Sequence, residues 1–271
     1  MTVITTLFAA RHTVHVTDSL ITSRRMDGTK EPLEWEKTKI VPVPAFRGAV
    51  VYWGLAQLGG WSTLEWLQAR RAEADRFPFP EAFAQDLARR LEAELSRMTF
   101  TVETDKGIGL HFTAYERIED RWIPELFLVS NWGDPTYTFL RPTGVGCSRE
   151  AHHIVSGQDP DPSDAIPERR RLVAQHLNRG GWIWYNNGDP VLFNGAANTI
   201  LSMLETFAKR RVLAPIFDTD AFIRLTQAPV EFVSRVQQDF CAAGQRLVGG
   251  RIHNLAISDA GDYTSTSGDE P

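Results

Sequence analysis

The stretch Thr2-Val3-Ile4-Thr5-Thr6-Leu7-Phe8-Ala9-Ala10-Arg11-His12-Thr13-Val14-His15-Val16-Thr17-Asp18 decides how the rest of the chain is read. β-Branched residues dominate it, and no apolar stripe of helical spacing competes with the strand pattern. It predicts two short strands, residues 3–9 and 13–16, joined around residues 10–12. Asp18 and Ser19 stand where the second strand ends.

Residues 23–38 are polar, contain Gly28 and Pro32, and read as a long excursion. Strands at 39–43 and 49–53 follow, with a turn at 44–48. A helix starts near Ser62, just after Gly59-Gly60. Ser62 with Glu65 forms a capping box, and Trp61 with Trp66 a hydrophobic staple. It extends to about residue 74, and Phe77-Pro78-Phe79-Pro80 breaks it. A second helix is expected at 81–95, with Phe83, Leu87, Leu91 and Leu95 on one buried stripe. Strands return at 99–103, 108–116 and 125–130, the last two as a hairpin turning at 117–121.

Residues 133–165 are turn-like, and 156–162 read as a surface loop. Helices follow at 167–177, 196–209 and 230–243; Phe232, Val233, Val236 and Phe240 give the last one an apolar stripe. Gly244 suits the end of that helix, and residues 252–257 form a closing strand. The tail at 261–271, rich in Ser, Thr, Gly and acid, is expected to be disordered. No repeat or linker divides the chain. The order of strands, two helices, strands, helices and a final strand predicts one α+β domain over residues 1–260. Helices lie outside packed antiparallel sheets in this reading, rather than in regular βαβ units.

Composition narrows the function. Of 271 residues, 42% are hydrophobic and 23% charged, enough for a sizeable core without covalent staples. Two cysteines, Cys147 and Cys241, exclude a disulfide framework and point to the cytoplasm. With 34 acidic against 29 basic residues the net charge is -5, and the densest basic run is Arg169-Arg170-Arg171. Nucleic acid is therefore not the expected partner. No apolar run approaches the roughly 18 residues of a membrane helix, and the N-terminus lacks the basic and apolar regions of a secretory signal.

Thr2 is the foremost chemical candidate. Met1 precedes a small residue, so removal of the initiator exposes Thr2 as the first residue. A free α-amino group, with a pKa near 8, can then take the proton of the Thr2 hydroxyl, so that one residue supplies nucleophile and base. The plain alternative is a chain that begins Met-Thr and uses neither group. Cys147 with His152 and His153 lacks a fourth metal ligand and a standard spacing, and no phosphate-binding loop occurs; no metal or cofactor is expected. Trp182, Trp184 and Tyr185, beside Asn186-Asn187-Gly188, either line a ligand surface or, as the simpler reading, pack a sheet edge. Cys241 reads as a core residue.

The opening hairpin is followed by Lys39-Ile40-Val41-Pro42-Val43 and, after a turn, by Ala49-Val50-Val51-Tyr52-Trp53-Gly54 before a helix. This order resembles the N-terminal nucleophile hydrolases of the proteasome β-subunit and HslV type. An N-terminal Thr opens the first strand there, an Asp follows sixteen residues on, a Lys precedes a later strand, and a Gly ends the next. Thr2, Asp18, Lys39 and Gly54 match in order, with Lys37 a competing lysine. The strand pair at 110–116 and 123–129, and the final helix and strand ending at Ile257, are similar too. The Ser-Asp-Ser support of the family's nucleophile has no clear counterpart.

The resemblance implies a four-layer αββα sandwich of two antiparallel sheets flanked by helices, and a catalytic set of Thr2, Asp18, Lys39 and Gly54. Lys39 acts there as a cation beside the nucleophile, Asp18 holds Lys39, and the Gly54 N–H faces the oxyanion. It also implies a peptide or amide substrate and a homo-oligomer, of ring form in that family. Two other readings stay open: an inactive scaffold or binding protein of the same fold, and a small-molecule amidase.

Overall fold

A computed structural model describes residues 3–24, 30–34, 37–100, 106–118, 120–133, 144–149, 166–187, 190–210, 218–242, 246 and 248–266. The opening hairpin forms as the sequence predicts: β1 (Ile4–Phe8) and β2 (His12–Asp18) pair antiparallel, with Thr6 opposite His15. A small ribbon follows, β3 (Ile21–Arg24) with β4 (Lys30–Glu34). β5 (Ile40–Val43) and β6 (Gly48–Gly54) then pair across a short 3-10 turn. β7 (Gln57–Leu58) and β8 (Trp61–Ser62) lead into α1 (Thr63–Arg71). The Ser62 hydroxyl accepts from the Glu65 N–H, and the Trp61 and Trp66 rings meet at 6.5 Å, as the capping box and staple require. α2 (Pro80–Leu95) buries Phe83, Leu87, Leu91 and Leu95.

β9 (Ile108–Ile118) and β10 (Arg121–Ser130) form the long hairpin, and β11 (Gly146–Arg149) adds to β10. Then come α3 (Ile166–Asn178), β12 (Ile183–Asn187), α4 (Pro190–Lys209), α5 (Thr219–Phe240), β13 (Ile252–Ser258) and β14 (Tyr263–Thr264). Two five-stranded antiparallel sheets result, ordered β12-β1-β2-β13-β14 and β11-β10-β9-β6-β5.

The central strands of the two large sheets have two kinds of neighbour. Val50, Tyr52, Leu110, Phe112 and Phe127 pack with Phe83, Leu87 and Leu91 of α2 on the outer face of the second sheet. Val3, Leu7, Val14 and Val16 pack with Phe193 of α4 and Phe222, Ile223, Val230 and Val233 of α5 on the outer face of the first. Between the sheets lie Ile4, Val51, Trp53, Tyr115, Leu255 and Ile257. This is the α+β sandwich that the order of elements predicts. β6 reads as an unbroken apolar run because both of its faces are covered.

Several elements differ from the sequence reading. α5 starts at Thr219 rather than residue 230, because Pro229 is accommodated inside the helix. The helix also turns a different face inward. Phe232 is 60% and Phe240 84% exposed, while Thr226, Pro229, Val230, Val233 and Gln237 are buried. α4 begins at Pro190, where proline suits a first turn. β11 and β12 come from stretches not predicted as strands, and β12 is the edge strand of the first sheet: Tyr185 packs on Phe8, and Trp182 on Phe222. Of the expected strand at 99–103, residues 99–100 are not strand and the rest lie outside the described residues. Within the stretch expected as a disordered tail, β14 pairs with β13, and Thr266 N–H donates to Asn254 Oδ1 at 2.9 Å; residues 267–271 lie outside the described set. Among the described residues no helix is long and apolar enough to cross a membrane.

Candidate active site

β2 ends by carrying Asp18 into the interior, where its carboxylate collects donors from three segments. Oδ1 accepts from the Val3 N–H at 3.1 Å and from Lys39 Nζ at 3.3 Å. Oδ2 accepts from the Gly249 N–H at 3.2 Å. Lys39 also donates to the Leu20 carbonyl at 2.7 Å, and both charged side chains are buried. Burial pushes the Lys39 pKa down, and the nearby Asp18 carboxylate opposes that shift. Lys37, the competing lysine, is only half-buried; Lys39 is the partner of Asp18.

Met1 and Thr2 lie outside the described residues. Val3, the residue after Thr2, is the one whose amide is tied to Asp18. Lys39 sits at the mouth of β5, and its carbonyl accepts from the Tyr52 N–H at 3.2 Å. Two residues further along β6 is Gly54, which is exposed. Its φ of +85° is a left-handed conformation, and a Cβ there would stand 2.1 Å from the Gly107 carbonyl oxygen. Backbone shape alone therefore demands glycine at 54.

A second polar cluster lies in mid-strand between the sheets. Thr6 Oγ1 is 3.0 Å from His15 Nδ1 and 3.0 Å from His111 Nδ1. His15 Nε2 reaches Thr113 Oγ1 at 2.8 Å, and Thr113 donates to the Ala49 carbonyl at 3.4 Å. The Asn187 side-chain amide bonds His111 Nε2. Burial lowers both histidine pKa values to about 3, so both rings are neutral.

A neutral ring has one donor and one acceptor nitrogen, and this fixes the direction of the chain. Asn187 donates to His111, whose Nδ1–H donates to Thr6. Thr6 donates to His15, whose Nε2–H donates to Thr113. The cluster contains a hydroxyl and an imidazole at nucleophile–base spacing. Thr6, His15 and His111 are nevertheless covered by both sheets.

A third cluster lies apart from both. Arg149 and Arg170 contact buried Glu125 at 3.3 and 2.9 Å and also pair with Glu116. Burial raises the Glu125 pKa to about 8, against the pull of Arg170. The cluster ties α3 to β9 and β10.

Of the residues that the sequence singled out, the fold brings Asp18 and Lys39 into contact and sets Gly54 on the neighbouring strand. Cys147 lies on β11, while His152 and His153 are outside the described residues. Among the described residues no three His, Cys, Asp or Glu side chains gather as a metal site. Sequence reasoning missed the Thr6–His15–His111–Asn187 chain and the Gly249 donor. The signal for the first was present in β2, where Thr13, His15 and Thr17 alternate with Val14 and Val16. No known family model matches the chain, and no curated protein matches it significantly.

Proposed function

We propose that this chain is an amide hydrolase of the proteasome-like N-terminal nucleophile type, with Thr2 as its nucleophile once Met1 is removed. The observation that carries the reading is the buried Asp18–Lys39 pair, bonded through Asp18 to the amide of Val3, the residue after Thr2. A buried ion pair is a poor source of stability; a place beside a nucleophile gives it a purpose.

In the reaction, the Thr2 α-amine takes the hydroxyl proton, and Thr2 Oγ1 attacks the substrate carbonyl carbon. The Gly54 N–H faces the developing oxyanion, and the Lys39 charge favours negative oxygen. The C–N bond then breaks, the leaving amine takes the proton, and an ester to Thr2 remains. Water, deprotonated by the α-amine, cleaves that ester and restores the hydroxyl. The substrate is a peptide or related amide, and the working form is a homo-oligomer, in keeping with ring assembly in the family resembled.

The test joins intact mass to kinetics. The expected result is a chain that begins at Thr2, hydrolyses fluorogenic peptides, and loses at least about a thousandfold in kcat on Thr2→Ala with unchanged circular dichroism. A chain that retains Met1, or undiminished hydrolysis in Thr2→Ala, overturns the mechanism and moves the scaffold reading ahead. Hydrolysis of small amides by a monomer, with no cleavage of peptides, replaces the peptidase and ring assignments with the amidase.

A further inference from the structure

The inward face of α5 runs Phe222, Ile223, Thr226, Pro229, Val230 and Val233, and its last buried position is Gln237. An amide in that place is costly unless bonded, since a leucine would fill the same stripe. Gln237 is 2% exposed, and its Oε1 accepts from the Val248 N–H at 2.9 Å. The next N–H along the chain, that of Gly249, donates to Asp18 Oδ2. The Gly249 carbonyl accepts from the Leu20 N–H at 3.1 Å, and the Leu20 carbonyl accepts from Lys39 Nζ. A ring of bonds thus closes: Gln237 fixes Val248, Val248 is joined to Gly249, and Gly249 grips Asp18 and, through Leu20, Lys39.

We infer that Gln237 is a positioning residue for the Asp18–Lys39 pair, acting through Val248, whose own N–H it holds and whose Cα links that peptide group to the one carrying the Gly249 N–H. The inference rests on the hydrolase reading for its catalytic consequence, but not for its geometry. Val248 and Gly249 send consecutive N–H groups to different partners, one on α5 and one at the end of β2. Without the Gln237 acceptor, the Val248 N–H is left unpaired in the interior, and the backbone at Val248 shifts to satisfy it. The shift carries into the following peptide group, and Asp18 loses the Gly249 N–H, one of its two backbone donors among the described residues. The cost of an unpaired buried donor is large enough to drive such a shift.

Two variants separate positioning from packing. Gln237→Leu keeps the shape and removes the acceptor; Gln237→Glu keeps an acceptor oxygen. The first readout is hydrolysis. Gln237→Leu is expected to lower kcat about tenfold at unchanged KM, while Gln237→Glu stays within about threefold of wild type. The second readout needs no activity: NMR titration of lysine labelled with carbon-13 at Cε, with the Lys39 signal assigned from Lys39→Met. Lys39 is expected to titrate at lower pH in Gln237→Leu, where Asp18 is less firmly held, and no lower than in wild type in Gln237→Glu, whose added carboxylate can only favour the charged lysine.

A Gln237→Leu protein with a lowered Tm but wild-type kcat and Lys39 titration overturns the inference and leaves Gln237 a packing residue. So does a Gln237→Glu variant in which Lys39 titrates below its wild-type pH. If Gln237→Leu does not fold, Gln237→Met, equally without a strong acceptor, takes its place in both readouts. If wild type hydrolyses nothing, the hydrolase reading falls and the Lys39 titration alone decides the inference.

Discussion

Asp18 and Lys39 meet where β2 ends, with backbone N–H groups from two other segments pointing at the carboxylate. Thr6, His15 and His111 meet in mid-strand, where the ladder already uses the backbone groups and side chains must satisfy one another. Both clusters are buried in the same molecule, and they settle their charge in opposite ways. At the strand end an ion pair is held together by fixed donors. In mid-strand no counter-charge is at hand among the described residues, so the imidazoles stay neutral and form a one-way chain of hydrogen bonds. In these two clusters the charge state follows whether backbone N–H groups are free to meet the polar group, as they are at the end of β2.

That contrast breaks most readily in acid. A histidine in the unfolded chain titrates near 6.5, whereas His15 and His111 are held at about 3. Between those values the unfolded chain binds more protons, so stability present above pH 6.5 is lost as pH falls towards 3. From pH 6 to pH 4 the two rings together should remove roughly 5 kcal/mol. Urea unfolding at a series of pH values measures this, and His15→Gln with His111→Gln should flatten the slope. An equal slope in that double variant would show that other groups drive the loss.

Removing one charge is the next largest effect. Asp18→Leu takes the counter-charge from buried Lys39 and should cost about 3–5 kcal/mol. Lys39→Met should cost less, because two backbone N–H groups still hold the carboxylate. The reverse order in denaturant titrations would mean that the pair, and not the backbone, stabilises Asp18.

Thr6→Val cuts the neutral chain in the middle and leaves two ring nitrogens unpaired, for about 1–3 kcal/mol. The proposed hydrolysis should survive it. Loss of hydrolysis in a folded Thr6→Val protein would move the nucleophile from position 2 to position 6. Thr113→Val, at the far end of the chain, leaves one ring nitrogen, His15 Nε2, without its partner, removes the long bond to the Ala49 carbonyl, and should cost about 1 kcal/mol.

The sandwich was legible because local signals agreed with it: the hairpin of residues 3–18, the capped helix at Ser62, and the four-residue stripe of α2. Asp18 and Lys39 were legible only through the order of motifs, since no local rule joins residues 21 apart. The mid-strand cluster was not. The alternation of Thr13, His15 and Thr17 with valines looks like a solvent-facing edge, and only the stacking of a second sheet turns that face inward. The sequence pattern of α5 points to the wrong face because Phe232 and Phe240 carry more apolar weight than Thr226 and Gln237, yet the latter two face the core. Position 237 is polar because of what it bonds across the fold, and periodicity cannot show that.

The neutral chain has one more consequence, for how the strands find their alignment. Thr6, His15, His111, Thr113 and Asn187 come from β1, β2, β9 and β12. A slip of one residue in any of these strands would turn its polar members out of the layer and bring the opposite face in. For β1 this would set Thr5 or Leu7 against the imidazoles in place of Thr6, and the remaining donors and acceptors would be left without partners. Apolar pairs tolerate such slips far better, because a valine packs about as well against either of two neighbours. The hydroxyls and imidazoles thus act as a lock on strand alignment, rejecting misaligned sandwiches that the apolar residues alone would accept.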